Sequence, residues 1–99
     1  MESAHTARIR WSAEQVRRGL PAEHRTVDPS WFSGDLPSTA EGWSLVCEFD
    51  APPAVQGSPS LARVRFLVAA APHDRLGRGA RLQLFERATG RCAEVEILD

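Results

Sequence analysis

The sequence predicts an all-β domain, a small closed antiparallel barrel of about six strands. Short runs of alternating apolar and polar residues recur along the chain, and this is the period of a half-buried strand. Segments with proline and glycine separate the runs and predict turns and loops. A closed sheet is expected because an open one would leave two hydrogen-bonding edges unpaired.

Length and composition predict a single globular domain spanning residues 1–99. The chain is 42% hydrophobic and 25% charged, which is ordinary for a globular protein. No apolar run approaches the ~20 residues that a membrane-spanning helix needs. The first residues lack a basic region followed by an apolar core, so no secretory signal is recognised. We therefore expect a cytoplasmic protein without membrane contact.

The first half of the chain predicts two strands and a short helix. Residues 7–11 alternate, with Ala7, Ile9 and Trp11 on one face. Ser12 is a candidate cap for one or two helical turns that Gly19 and Pro21 end. Residues 43–49 form the clearest strand of this half, with an inward face listed as Trp43, Leu45, Cys47 and Phe49.

Between these elements lies a long proline-bearing connection, residues 20–41. A connection of this length is unusual in a compact domain, so it is either functional or contains a short strand over residues 25–32. The pair Trp31-Phe32 favours the strand, since aromatic rings usually cover a core. Trp31 is then a lid over one end of the barrel, or it is exposed and forms a protein-docking patch with Phe32.

The last third predicts three further strands. Residues 62–68 alternate, and the apolar run 67–71 predicts that this strand ends buried. A strand over residues 80–85 follows, and a turn at 88–90 leads to a final strand, residues 93–97. Gly90 suits the positive φ that short hairpin loops require.

This last third resembles the closing strands of the C-terminal barrel, the third domain, of elongation factor Tu. The resemblance is carried by Phe66-Leu67-Val68, Pro72-His73, the run from Leu76 to Glu86, Thr89-Gly90-Arg91 and Val95. It implies the barrel fold and, since that domain contacts tRNA and the exchange factor, a role with RNA or a translation component. The nucleotide-binding domain and its G-x-x-x-x-G-K-[ST] loop have no counterpart, so GTP hydrolysis is not implied.

The amino-acid composition excludes several catalytic and ligand-binding roles. All twelve basic residues are arginine, which removes every role that requires lysine, and tyrosine and asparagine are absent. No nucleotide is predicted, because the chain has no P-loop and no lysine. No metal is predicted, because the histidines and cysteines match no zinc spacing, and no cofactor is predicted either. Cys47 and Cys92 are expected to be reduced and unrelated. His73-Asp74 could begin a base-orienter pair for a small hydrolase, but a loop histidine is the favoured reading.

Charge is unevenly distributed although the net charge is −1. Residues 26–60 contain five acids and no arginine, whereas residues 61–91 contain seven arginines and two acids. We predict a non-enzymatic binding module that contacts RNA or a translation component through an arginine-rich face, listed as Arg63, Arg65, Arg75, Arg78 and Arg81. Outward arginines that pair with Glu94 and Glu96 and keep a barrel soluble are the simpler alternative. A protein-interaction domain that docks through Trp31 and Phe32 is the second.

Overall fold

The computed structural model describes residues 4–34, 42–88 and 90–99. Six strands make up the sheet, listed as β1 His5–Trp11, β2 Arg25–Phe32, β3 Trp43–Glu48, β4 Ser60–Phe66, β5 Arg81–Glu86 and β6 Arg91–Ile97. Two short helices, α1 Ala13–Arg18 and α2 Pro53–Gln56, and a 3₁₀ turn, His73–Arg75, lie between strands. No helix in these ranges is long and apolar enough to span a membrane.

The strands close into an antiparallel barrel in the order β1-β4-β3-β2-β5-β6, with β6 pairing back to β1. The predicted fold class is therefore confirmed. The strand hidden in the long connection is also confirmed, since β2 bridges β3 and β5. Asp35 to Glu41 and Thr89, which the sequence placed in that connection and in the last hairpin, lie outside the described residues.

Side chains alternate along each strand, and those that point inward fill the barrel. The core consists of inward side chains from all six strands, and the largest fully buried ones are Phe66, Ile9, Leu45, Leu82 and Leu84. Trp11 is also buried and its indole nitrogen donates to Ser60 Oγ at 3.0 Å, which satisfies a polar group in the core.

The local signals at α1 and at the last hairpin are confirmed. Ser12 Oγ accepts from the backbone nitrogen of Gln15 at 3.1 Å, which caps α1, and Gly19 ends it at a φ of 109°. Gly90 has a φ of 70°, the backbone region that glycine tolerates and the hairpin requires.

One prediction about burial is wrong. β4 ends at Phe66, and residues 67–70 are exposed, with Val68 44% accessible. Only Ala71 of the apolar run is buried. The chain turns across the end of the barrel here, so its side chains cover the core edge or face solvent instead of extending the sheet. A run of one leucine, one valine and three alanines contains no signal that separates these two outcomes.

Candidate functional site

Arg63 and Arg65 lie on the outer face of β4, as the alternation predicted. Ala62, Val64 and Phe66 point inward and are buried, while Arg63 is exposed and Arg65 half-buried. Arg65 Nε lies 4.0 Å from Glu48 Oε1 on the neighbouring strand β3. A partly exposed pair at that distance contributes little stability, so Arg65 is only loosely held.

The other three predicted arginines lie elsewhere. Arg81 begins β5, which is three strands from β4 in either direction round the barrel. Its guanidinium nitrogens lie 3.8 Å from Glu94 and 3.9 Å from Glu96, so the predicted pairing with these acids applies to Arg81. Arg75 and Arg78 lie in the loop that crosses the barrel end between β4 and β5. Closure of the sheet therefore divides the five arginines among different sides.

A different arginine joins Arg63. The register pairs Arg25 of β2 with Glu48 of β3, and Glu48 in turn with Arg63 of β4, which pairs with Thr6 of β1. All four side chains are exposed. Neighbouring strands are about 4.8 Å apart, so Arg25 and Arg63 lie roughly 10 Å apart across the sheet. Arg25 was not predicted from the sequence, because its place beside Glu48 depends on the register of a strand recognised only as an alternative.

A groove opens along this row of side chains. It has a volume of about 380 Å³ and is lined by Ala4, His24, Arg25, Glu48, Phe49, Asp50 and Arg63. A second groove of about 240 Å³ shares Glu48, Asp50 and Arg63 with it and adds Thr6 and Leu61. Within the described part of the chain, neither Arg25 nor Arg63 forms an ion pair. Two guanidinium groups are therefore available to a ligand at one surface.

His24 contributes to the wall of the groove. Its Nδ1 lies 3.2 Å from the backbone oxygen of Phe49, and Phe49 N donates to His24 O at 2.8 Å. Nδ1 therefore carries the proton in this contact. These two bonds fix the chain segment that brings Arg25 next to β3.

The Trp31-Phe32 pair is split between two environments. Phe32 is only 7% exposed, packs edge-to-face on Phe66 with ring centroids 5.9 Å apart, and has the Arg75 guanidinium 3.8 Å above its ring. Trp31 is half-buried on the outer side of β2. A Cβ at Gly42 would lie 2.7 Å from the Trp31 ring, so the indole packs directly on that glycine. Phe32 thus belongs to the core, and only Trp31 of this pair reaches the surface.

His73 fixes the loop across the barrel end. Its Nε2 lies 3.0 Å from Val68 O and 3.2 Å from Ala69 O, and its ring packs edge-on against Phe66 at 5.8 Å. A donating Nε2 places the proton of the neutral ring on that nitrogen. These contacts give His73 a structural role in the loop, the reading that the sequence favoured.

The two cysteines are free and differ in environment. Cys47 is fully buried, and burial raises the pKa of its thiol to about 12. Cys92 is half-buried on the outer side of β6. Among the residues with described positions, no three His, Cys, Asp or Glu side chains converge as a metal site.

An ion pair inside the barrel was not anticipated from the sequence. Asp28 of β2 is 2% exposed, and Arg91 of β6 reaches its carboxylate from the other side of β5. Burial raises the pKa of Asp28 above 3.8, with Glu86 and Glu23 adding to the rise and Arg91 opposing it. The Thr26 hydroxyl is buried with no hydrogen-bond partner in the described ranges, and it opposes the rise that burial causes in the pKa of the Cys47 thiol. The only feature of the sequence that indicates an inward-facing Asp28 is the placement of Thr26, Asp28 and Ser30 at every second position of β2.

Comparison of the chain with protein-family models, with curated proteins and with solved structures found no match.

Proposed function

We propose that the chain is a non-enzymatic binding module that contacts the phosphate backbone of single-stranded RNA through the outer face of β2, β3 and β4. The contacting residues are Arg25, Arg63 and Arg65. The observation that carries the proposal is the pairing register, which sets Arg25 and Arg63 on either side of Glu48 at one groove.

Charge and hydrogen-bond capacity support this choice of ligand. A guanidinium presents five donors in a planar fork that suits phosphate oxygens, and Arg25 and Arg63 have no intramolecular ion pair in the described chain. Glu48 lies between them but is directed toward Arg65 at 4.0 Å. The net charge of −1 means that any attraction to RNA is local to this surface. The more specific version, contact with RNA in translation, rests on the resemblance of the last third of the chain to elongation factor Tu.

Salt dependence and matched substitutions test the proposal. Three phosphate contacts to a single strand predict that log K falls with log salt at a slope of about −2 between about 50 and about 200 mM salt. Arg25→Gln/Arg63→Gln should weaken binding of a fluorescent RNA and reduce that slope by about 1 to 1.5. The control is Arg78→Gln/Arg81→Gln, which changes the net charge equally on another side of the barrel.

Fluorescence anisotropy of the three proteins decides the matter. The proposal requires that the control bind RNA as the native chain does. Equal weakening by both double variants would show that only overall charge matters, and unchanged binding by Arg25→Gln/Arg63→Gln would remove this surface from consideration.

A protein-interaction function is the second candidate, favoured by apolar side chains on the outer face of β2 and β5. Phe85 is 44% and Val27 40% exposed, and Trp31 lies on the same side of β2 as Val27. Recovery of bound proteins from ribonuclease-treated extract, with the native chain and with Phe85→Ser, tests it. A partner lost only with Phe85→Ser would support this function, whereas identical recovery with both chains would argue against it.

A further inference from the structure

The groove beside Arg25 and Arg63 also contains two carboxylates. Asp50 follows Glu48, the last residue of β3, by two positions, and both side chains line the groove. Asp50 is exposed and forms no ion pair within the described ranges, while Glu48 approaches Arg65 only at 4.0 Å. A surface that bound phosphate alone would gain nothing from these acids, because they repel it.

The arrangement of charges is ordered across the sheet. The cations facing the groove are Arg25 of β2 and Arg63 of β4, and the imidazole of His24, which precedes β2, also lines it. The anions are Glu48, at the end of β3, and Asp50, two residues later. Thr6 adds a hydroxyl from β1. Leu61 lines the smaller groove together with Asp50 and is 54% exposed, which supplies an apolar surface. Donors, acceptors and an apolar side chain thus line two adjoining openings that share Glu48, Asp50 and Arg63.

We infer that this groove selects nucleotides whose base carries an amino group, with the phosphate on Arg25 and Arg63 and the base edge on Asp50 and Glu48. The inference deepens the proposed function and depends on it. A carboxylate accepts hydrogen bonds from cytosine N4–H₂ or from the N1–H and N2–H₂ groups of guanine. Uracil presents a carbonyl oxygen where cytosine has its amino group, so it places an acceptor against an acceptor.

Groove size agrees with one nucleotide. The larger opening, about 380 Å³, lies in the range of small-molecule sites, and the adjoining one of about 240 Å³ extends it toward Leu61. Leu61 can then pack against the face of the base while its edge meets Asp50. The phosphate contacts set the position of the RNA strand, and the carboxylates discriminate between its bases.

Cytidine and uridine decamers form a matched pair of probes, because they share ring size and backbone and differ at the amino group. By fluorescence anisotropy at about 50 mM salt, the native chain should bind the cytidine decamer about tenfold more tightly, the discrimination expected of one base-edge contact. Asp50→Asn should reduce this preference to about twofold or less, since an amide donates as well as accepts. Asp74→Asn, an exposed aspartate in the 3₁₀ turn, has the same charge change and should leave the preference intact.

The same measurements distinguish a failure of the base selectivity from a failure of the proposed RNA binding. Equal binding of both decamers, still weakened by Arg25→Gln/Arg63→Gln, would retain the RNA function and overturn the selectivity. A preference that survives both Asp50→Asn and Glu48→Gln would overturn the assignment of these carboxylates. If the native chain binds neither decamer, the proposed function itself is wrong. Circular dichroism of each variant establishes that the barrel is folded.

Discussion

Arg91 Nη1 lies 3.1 Å from one carboxylate oxygen of Asp28 and 3.2 Å from the other, inside the barrel. The two residues belong to β2 and β6, which do not pair with each other because β5 lies between them. Asp28 is 2% exposed, whereas the Arg91 side chain is 18% exposed at the end of the barrel. The ion pair therefore joins strands that backbone hydrogen bonds leave unconnected.

Removing one partner of this pair should destabilise the barrel strongly. Arg91→Met leaves the Asp28 carboxylate buried without its cation, which costs about 3–5 kcal/mol in comparable sites. Urea unfolding followed by tryptophan fluorescence measures the change in the free energy of unfolding.

A double variant checks the cause. Asp28→Leu/Arg91→Met removes both charges and should recover most of the stability that Arg91→Met loses, since an apolar pair avoids desolvation of the ions. If the double variant is as unstable as the sum of the two single ones, the pair is not coupled. Arg78→Met, at an exposed loop position, should stay within about 0.5 kcal/mol of the native chain.

Acid should change the contribution of Asp28 in a direction opposite to that of most carboxylates. Its folded pKa is raised above the unfolded value of 3.8, so its contribution to stability is greatest below pH 3.8 and is lost as the pH rises through the folded pKa. The free energy of unfolding of the native chain minus that of Asp28→Asn should therefore increase from about pH 7 to about pH 4. A difference that is constant over this range, or that falls on acidification, would contradict the raised pKa.

The core assignment of Phe32 predicts a large loss on truncation. Phe32→Ala removes the edge-to-face contact with Phe66 and the ring beneath Arg75, and should cost about 3–5 kcal/mol. Phe85→Ala is the matched control, because Phe85 is 44% exposed on the outer face of β5, and should cost less than about 1 kcal/mol. Similar losses at both positions would mean that Phe32 is not a core residue.

The two thiols should differ in reactivity. Burial raises the pKa of Cys47 to about 12 and blocks access to it, so a thiol reagent at about pH 8 should modify only Cys92 in the folded protein. Both should react in denaturant. Mass spectrometry of the labelled chain counts the modified thiols, and Cys92→Ser should show none under native conditions. Rapid native labelling of Cys92→Ser would show that Cys47 is accessible.

The residue pattern alone was sufficient to predict the fold class, a closed antiparallel barrel. Period-two alternation in residues 7–11 and 93–97 survives in the structure because a barrel wall has one wet and one dry face. In residues 43–49 it is interrupted, since Val46 is as buried as Leu45 and Cys47. Ser12 and Gly90 were also recognised, since capping and positive φ are decided by a few neighbouring residues. The strand Arg25–Phe32 was recognised only as an alternative, because its inward face contains Thr26, Asp28 and Ser30, which reduce the apolar signal.

Which residues distant in sequence lie side by side could be determined only from the tertiary structure. Barrel closure set Arg81 three strands from Arg63 and brought Arg25 into register with Glu48, and neither follows from charge density along the chain. Asp28 and Arg91 met across β5 because their separate alternation patterns both point inward. The physical reason is that side-chain alternation is local, whereas strand order and register depend on which apolar faces pack together. The sequence determined the kind of fold, and packing decided which charges share a surface.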